Sequence, residues 1–169
     1  MRGCIFDKVS ELGPDFGVIF STKVVQQWYS WALTKLGKIY HASGTTHEAA
    51  LHTFIADIEI DNGRRRRGST APWPVTTELN TDQSFVSNSL VKMAIHSREF
   101  FVSKLSYMGL ARYDVKAGDE ICILHGGQVP FILRQKQKYH QFKGECYVHG
   151  IMDGEAMRYP KIWRDFALR

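Results

Sequence analysis

Near residue 100 the apolar residues change their spacing, and a chain with such a change must build two kinds of layer. Before that point they recur at helical intervals. In "STKVVQQWYSWALTKLGK" the stripe is Val25, Tyr29, Ala32 and Leu36, widened by Val24, Trp28 and Trp31. Ser21 or Thr22 is positioned to cap the start of this helix and Gly37 to end it. In "TTHEAALHTFIADIEID", Thr45 and Glu48 have capping-box spacing, and Leu51, Phe54, Ile55 and Ile58 follow at i, i+3, i+4 and i+7. A third helix is read from about Asp82 to Phe100, with Val86, Leu90, Met93 and Ala94 inward.

After residue 100 short apolar runs are separated by tight turns. "FFVSKLSYMGLAR" reads as two strands turning near Lys104 to Ser106, and "VKAGDE" as a turn on Gly118 and Asp119. "EICILHGGQVPFILR" reads as a hairpin whose Gly126 and Gly127 form a type I′ turn. That register sets Leu124 opposite Val129 and Cys122 opposite Phe131. Pro130 has no N–H to donate, so its nitrogen must lie off the ladder or at a bulge. "YHQFKGECYVHGIM" supplies a last strand, and "DGEAM" restarts a turn with Asp153 as its cap.

The expected fold class is α+β: a helical N-terminal half packed on a small, strongly bent antiparallel β-sheet or partial barrel. The expected organisation is a helical segment at 1–62, an exposed basic and proline-rich loop at 63–80, and a third helix plus hairpins at 81–169, together one compact unit.

Composition narrows the function classes. The net charge is +5, but four of the cations form the single run Arg64 to Arg67. The excess is local, which argues for a solvated loop and against a nucleic-acid-binding face. Three cysteines are too few and too odd in number for a disulfide scaffold. With no secretory leader pattern and no long apolar run, the expectation is a cytoplasmic protein with no membrane association.

Several motifs invite a catalytic reading and fail on spacing. Cys122 with His125, and Cys146 with His149, make a doubled C-x-x-H, but residues three apart on a strand point to opposite faces. His47 and His52 lie five apart, about 140° around a helix, and cannot share a metal as i, i+4 histidines do. "HGG" at His125 has no accompanying G-x-S-x-G nucleophile. No metal or cofactor is expected. The competing reading is a hydrolase or thiol-dependent enzyme centred on Cys146, His149 and Asp153.

The ordered series "FFVSKLSYMGLARYDVKAGDEICILHGGQVPFILR" and "FKGECYVHGIMDGEAM", from Phe100 to Met157, resembles the C-terminal region of fungal heterokaryon incompatibility (HET domain) proteins. The segment from "RGCIFDKVSELG" to about residue 60 resembles the preceding part more loosely. The resemblance implies a role in non-self recognition and programmed cell death, with another protein as partner. It also implies an N-terminal HET domain, whose motifs are not found here, so the chain is expected to be the C-terminal portion alone. The resemblance assigns no catalytic residues. Its signature positions are Gly126, Gly127, Pro130, Gly144, Tyr147, His149, Gly150, Asp153, Gly154 and Glu155.

Overall fold

A computed structural model describes residues 1–14, 22–42, 44–61, 64–67, 89–158 and 161–169. The chain opens with an eleven-residue strand, β1 (Arg2–Leu12), that lies in the middle of the main sheet. Its first half pairs with β6 (Glu120–Leu124) and its second half with β4 (Arg98–Ser103), with register shifts after Ile5 and Val9. Those bulges sharpen the strand's twist and let one segment serve two directions of the sheet. The N-terminal half is therefore not purely helical. Its first element is a strand whose partners lie about a hundred residues away.

Helix α1 (Thr22–Leu36) buries Val24, Val25, Trp28 and Ala32, with Tyr29, Trp31 and Leu36 packed at the margin. Gly37 ends it in the left-handed region, donating its N–H to the Leu33 carbonyl at 3.0 Å. The proposed cap at Ser21 or Thr22 falls outside the described side chains.

Helix α2 (Thr46–Phe54) starts from the capping box: the Glu48 N–H donates to the Thr45 hydroxyl, and the Thr45 N–H to the Glu48 carboxylate. The helix stops at Phe54, and Ala56 and Asp57 take positive φ. Ile58 thus belongs not to the helix but to β2 (Ile58–Asp61), paired antiparallel with β3 (Arg64–Arg67). The arginine run has a strand backbone where a loop was expected, and 68–80 lies outside the described residues.

Helix α3 (Ser89–Ile95) ends before the expected Phe100, and 82–88 lie outside the described residues. Ser97, at φ 55°, turns the chain into β4. Leu90, Val91, Ala94 and Ile95 face inward, whereas Met93 is exposed. Val86 lies outside the described residues.

The remaining strands are β5 (Met108–Arg112), β7 (Phe131–Gln135), β8 (His140–Glu145), β9 (Tyr147–Val148) and β10 (Arg164–Asp165). The sheet runs β8-β7-β6-β1-β4-β5-β9, with β10 on β1. Its two end strands do not pair with each other. They are successive pieces of one stretch, 140–148, parted only by Cys146, so the sheet bends until a single segment borders both its ends.

Inside the bend pack Val9, Phe101, Ile121, Ile132, Cys146, Val148 and Ile151. A smaller cluster around Cys122, Leu124, Leu133 and Phe166 fills one end. The helices cover the outer face over β4 and β5, with Trp28 stacked on Phe100 at 5.9 Å.

The 124–131 connection differs from the expected two-residue turn. Cys122 does oppose Phe131, but the ladder stops there and leaves Leu124 and Val129 unpaired with each other. The Gly127 N–H donates to the Leu124 carbonyl at 2.9 Å, and only Gly126 has positive φ, at 82°. This is a type II-like turn with glycine at its third position. Gly127 is small for another reason: a Cβ there would lie 2.5 Å from the Phe131 ring. Pro130 sits off the ladder, and its carbonyl accepts from the Cys146 N–H at 3.0 Å.

Candidate functional site

Strand alternation decides what "CYVH" can do. Cys146 and Val148 point into the bend, while Tyr147 packs with the residues beneath the helices. His149, two residues on from Tyr147, shares its face, and the Tyr147 hydroxyl is hydrogen-bonded to His149 Nδ1 at 2.9 Å. The Cys146 thiol is buried and its pKa lies well above the ordinary value, because burial penalises the thiolate. Cys122, also buried, is pushed up to about 12 by the same cause. Both are inert small hydrophobes here. The triad of Cys146, His149 and Asp153 is not assembled.

His149 instead stands where three elements meet. Its N–H donates to the Met108 carbonyl of β5 at 2.9 Å, and its carbonyl accepts from the Tyr40 hydroxyl at 3.2 Å. The same Tyr40 hydroxyl accepts from the Met108 N–H at 2.9 Å, so one buried oxygen ties the α1–α2 connection to β5 and to the end of β9. Burial raises the Tyr40 pKa, which keeps that group a neutral donor. His52, from α2, stacks on the His149 ring at 5.6 Å, and its Nδ1 contacts the Asp57 carboxylate at 2.9 Å. Burial first, then the neighbouring His52, pulls the His149 pKa down to about 4. His149 is therefore a neutral imidazole at ordinary pH.

The glycines around it are spacers. Gly150 has φ 90°, and a Cβ there would approach Ala42 to 2.7 Å, so only glycine lets the strand end pass under the α1–α2 connection. Gly144, at φ 118°, sits beside the Arg112 side chain where β8 bends towards β9. Asp153 is not the cap of the following 3-10 turn (Glu155–Met157). Gly154 holds that place with no side-chain cap bond, and the Glu155 carboxylate accepts from the Asp153 N–H at 2.7 Å.

The structure thus brings Tyr147 and His149 together and leaves Gly126, Gly127 and Pro130 at the other hairpin. Sequence reasoning missed Tyr40, His52 and Asp57. His52 was weighed only as a metal ligand, and no local pattern joins it to a residue 97 positions away. His125 stands exposed at the hairpin tip, edge-on to Trp163. Among the described residues no three histidine, cysteine or carboxylate side chains cluster as a metal site.

A second set of polar contacts seals the rim of the sheet. Asp119 accepts from Arg134 through both carboxylate oxygens, at 2.7 and 2.8 Å, and the buried Glu120 carboxylate meets Lys8 at 3.0 Å. Arg164 of β10 lies 3.4 Å from Glu120, which binds the C-terminal residues to the same corner.

A strongly bent antiparallel sheet with helices on one outer face, and a hydrogen-bonded seam between them, defines an α+β β-barrel-like module. The family model of the Het-6 beta-barrel domain matches residues 74–168, more than half of the chain, and the chain belongs to that family. This relates it to heterokaryon incompatibility through the barrel domain and not through the HET domain itself. No curated protein and no solved structure matches the chain.

Proposed function

We propose that this chain is a non-catalytic accessory module in fungal non-self recognition, which holds a protein partner in the pathway to programmed cell death. Membership of the Het-6 beta-barrel family supports the setting. The observation that carries the non-catalytic reading is the splitting of the signature: Cys146 is sealed inside the bend, and His149 is engaged at the helix–sheet seam. The Tyr40 hydroxyl and the His149 main chain fasten one element to another, and the Tyr147 hydroxyl holds the His149 ring in place.

The test is expression of the chain in a fungal cell beside a matched strain carrying a full-length relative, with viability scored in both. The chain alone causes no incompatibility-type death. Death caused by the chain and abolished by His149→Gln, in a variant that still folds, would make the module an effector with chemistry at His149. Native protein also resists alkylation at Cys146 until it is unfolded.

A further inference from the structure

The β7–β8 turn and the C-terminal residues face each other across a cleft of about 450 Å³. One wall is the turn from Lys136 to Tyr139, closed by the Lys136 N–H donating to the Tyr139 carbonyl at 2.8 Å. The other is Ala167 to Arg169, laid parallel along β8. There the His140 N–H donates to Ala167 at 2.7 Å, the Arg169 N–H to His140 at 2.9 Å, and the Phe142 N–H to Arg169 at 3.1 Å. Main-chain bonds hold both walls, so the cleft is a built feature of the sheet edge.

Its charge is one-sided. Lys136, Lys138 and Arg169 line it, and among the described residues no acidic side chain does. Elsewhere Lys8, Lys35, Arg134 and Lys143 each meet a carboxylate. Among the described residues, none of the three cleft cations has such a partner. The Arg169 guanidinium lies 5.3 Å from the centre of the Tyr139 ring, which steers it along the wall. An α-carboxylate on Arg169 would offset one of the three charges and leave the cleft cationic. Like charges gathered on a concave surface raise the local potential and concentrate anions there. A group that accepts from two ammoniums and a guanidinium at once needs several oxygens pointing in different directions, as on a phosphate monoester.

We propose that this cleft binds a phosphate-bearing ligand carrying more than one negative charge, supplied by a soluble phosphorylated compound or by a lipid headgroup. The ammoniums of Lys136 and Lys138 and the guanidinium of Arg169 hold its oxygens, and Leu168 supports its less polar part. This site lies apart from the His149 seam and does not depend on the reading given to that seam.

The test uses the full chain. Inorganic pyrophosphate is titrated calorimetrically, and sedimentation is measured with phosphatidylcholine vesicles with and without a phosphoinositide bearing phosphomonoesters. The Lys136→Gln/Lys138→Gln variant is compared with Lys104→Gln/Lys116→Gln, which removes the same charge from exposed positions outside the cleft. Saturable binding of either probe, weakened about tenfold or more by the cleft variant and not by the control, supports the site. Binding confined to the phosphoinositide vesicles assigns the headgroup as the source; binding of pyrophosphate assigns the soluble one. The proposal is overturned if neither probe binds saturably, if both variants lose binding equally, or if only an RNA oligonucleotide binds through these lysines.

Discussion

The interior of the bend and the seam beneath the helices both bury large side chains, but they are joined by different chemistry. The interior around Phe101, Ile121 and Ile132 is apolar, and its cysteines act as filler. At its rim Asp119 and Glu120 are matched by Arg134 and Lys8. The seam is joined by the neutral Tyr40 hydroxyl, which bridges the Met108 N–H and the His149 carbonyl, with the His149 imidazole fixed beside it by Tyr147. Apolar contact tolerates small shifts and is indifferent to pH. A hydrogen-bonded seam fixes the helices in one position and responds to protonation.

The largest expected effect lies in the interior. Phe101→Ala should cost about 4 kcal/mol, the usual loss for truncating a fully buried aromatic, read from the denaturation midpoint. The comparison breaks if Tyr40→Phe costs more than this.

Tyr40→Phe itself should cost about 2–3 kcal/mol, because it strands the Met108 N–H and leaves the His149 carbonyl without its donor. Tyr29→Phe, which removes a half-exposed contact to His47, serves as the control and should cost much less. Equal losses would mean that the seam is not specially dependent on Tyr40.

The pH response follows from His149. Its pKa is about 4 in the fold against an ordinary 6.5, so between these values the unfolded chain binds a proton that the folded one refuses. Its contribution is therefore constant above pH 6.5, declines as pH falls towards 4 and levels off below that. The loss across that window should be about 2 kcal/mol, allowing for partial exposure of the ring. His149→Gln should flatten the stability profile there, measured by urea unfolding at several pH values. An unchanged slope would remove proton sensitivity from the seam.

The smallest effects test the two glycines of the 124–131 connection. Gly126→Ala should cost about 1 kcal/mol from left-handed strain, with no neighbour able to relieve it. Gly127→Ala should cost a similar amount, mainly through collision with Phe131, and in a Phe131→Ala background most of that cost should disappear, leaving the 3.1 Å approach to the Leu124 carbonyl. Relief of Gly126→Ala by the same background would contradict the turn geometry.

Part of this contrast was readable beforehand. The divergence of Cys146 and His149 follows from a period of two, so thiol and imidazole are kept apart by the rule that makes a strand. The Thr45–Glu48 box, the Gly37 stop and the Cys122–Phe131 pairing are also local, since each needs only residues a few positions apart along the chain or across a turn. The third helix was overextended because Ser97 can reverse the chain without any glycine or proline to mark it.

What the sequence by itself determined is therefore the set of short-range commitments: where a helix starts, where the chain can reverse, and which side chains share a face. Tertiary structure alone decided that "RGCIFDKVSEL" is a central strand, because its ladders to β4 and β6 close over long loops and leave no local periodicity to read. It also decided the seam. Tyr40, His52 and His149 gain their roles only when α2 and the connection before it settle on the bent sheet. A hydrogen bond between groups so far apart in the chain forms only after packing has met the entropy of bringing them together.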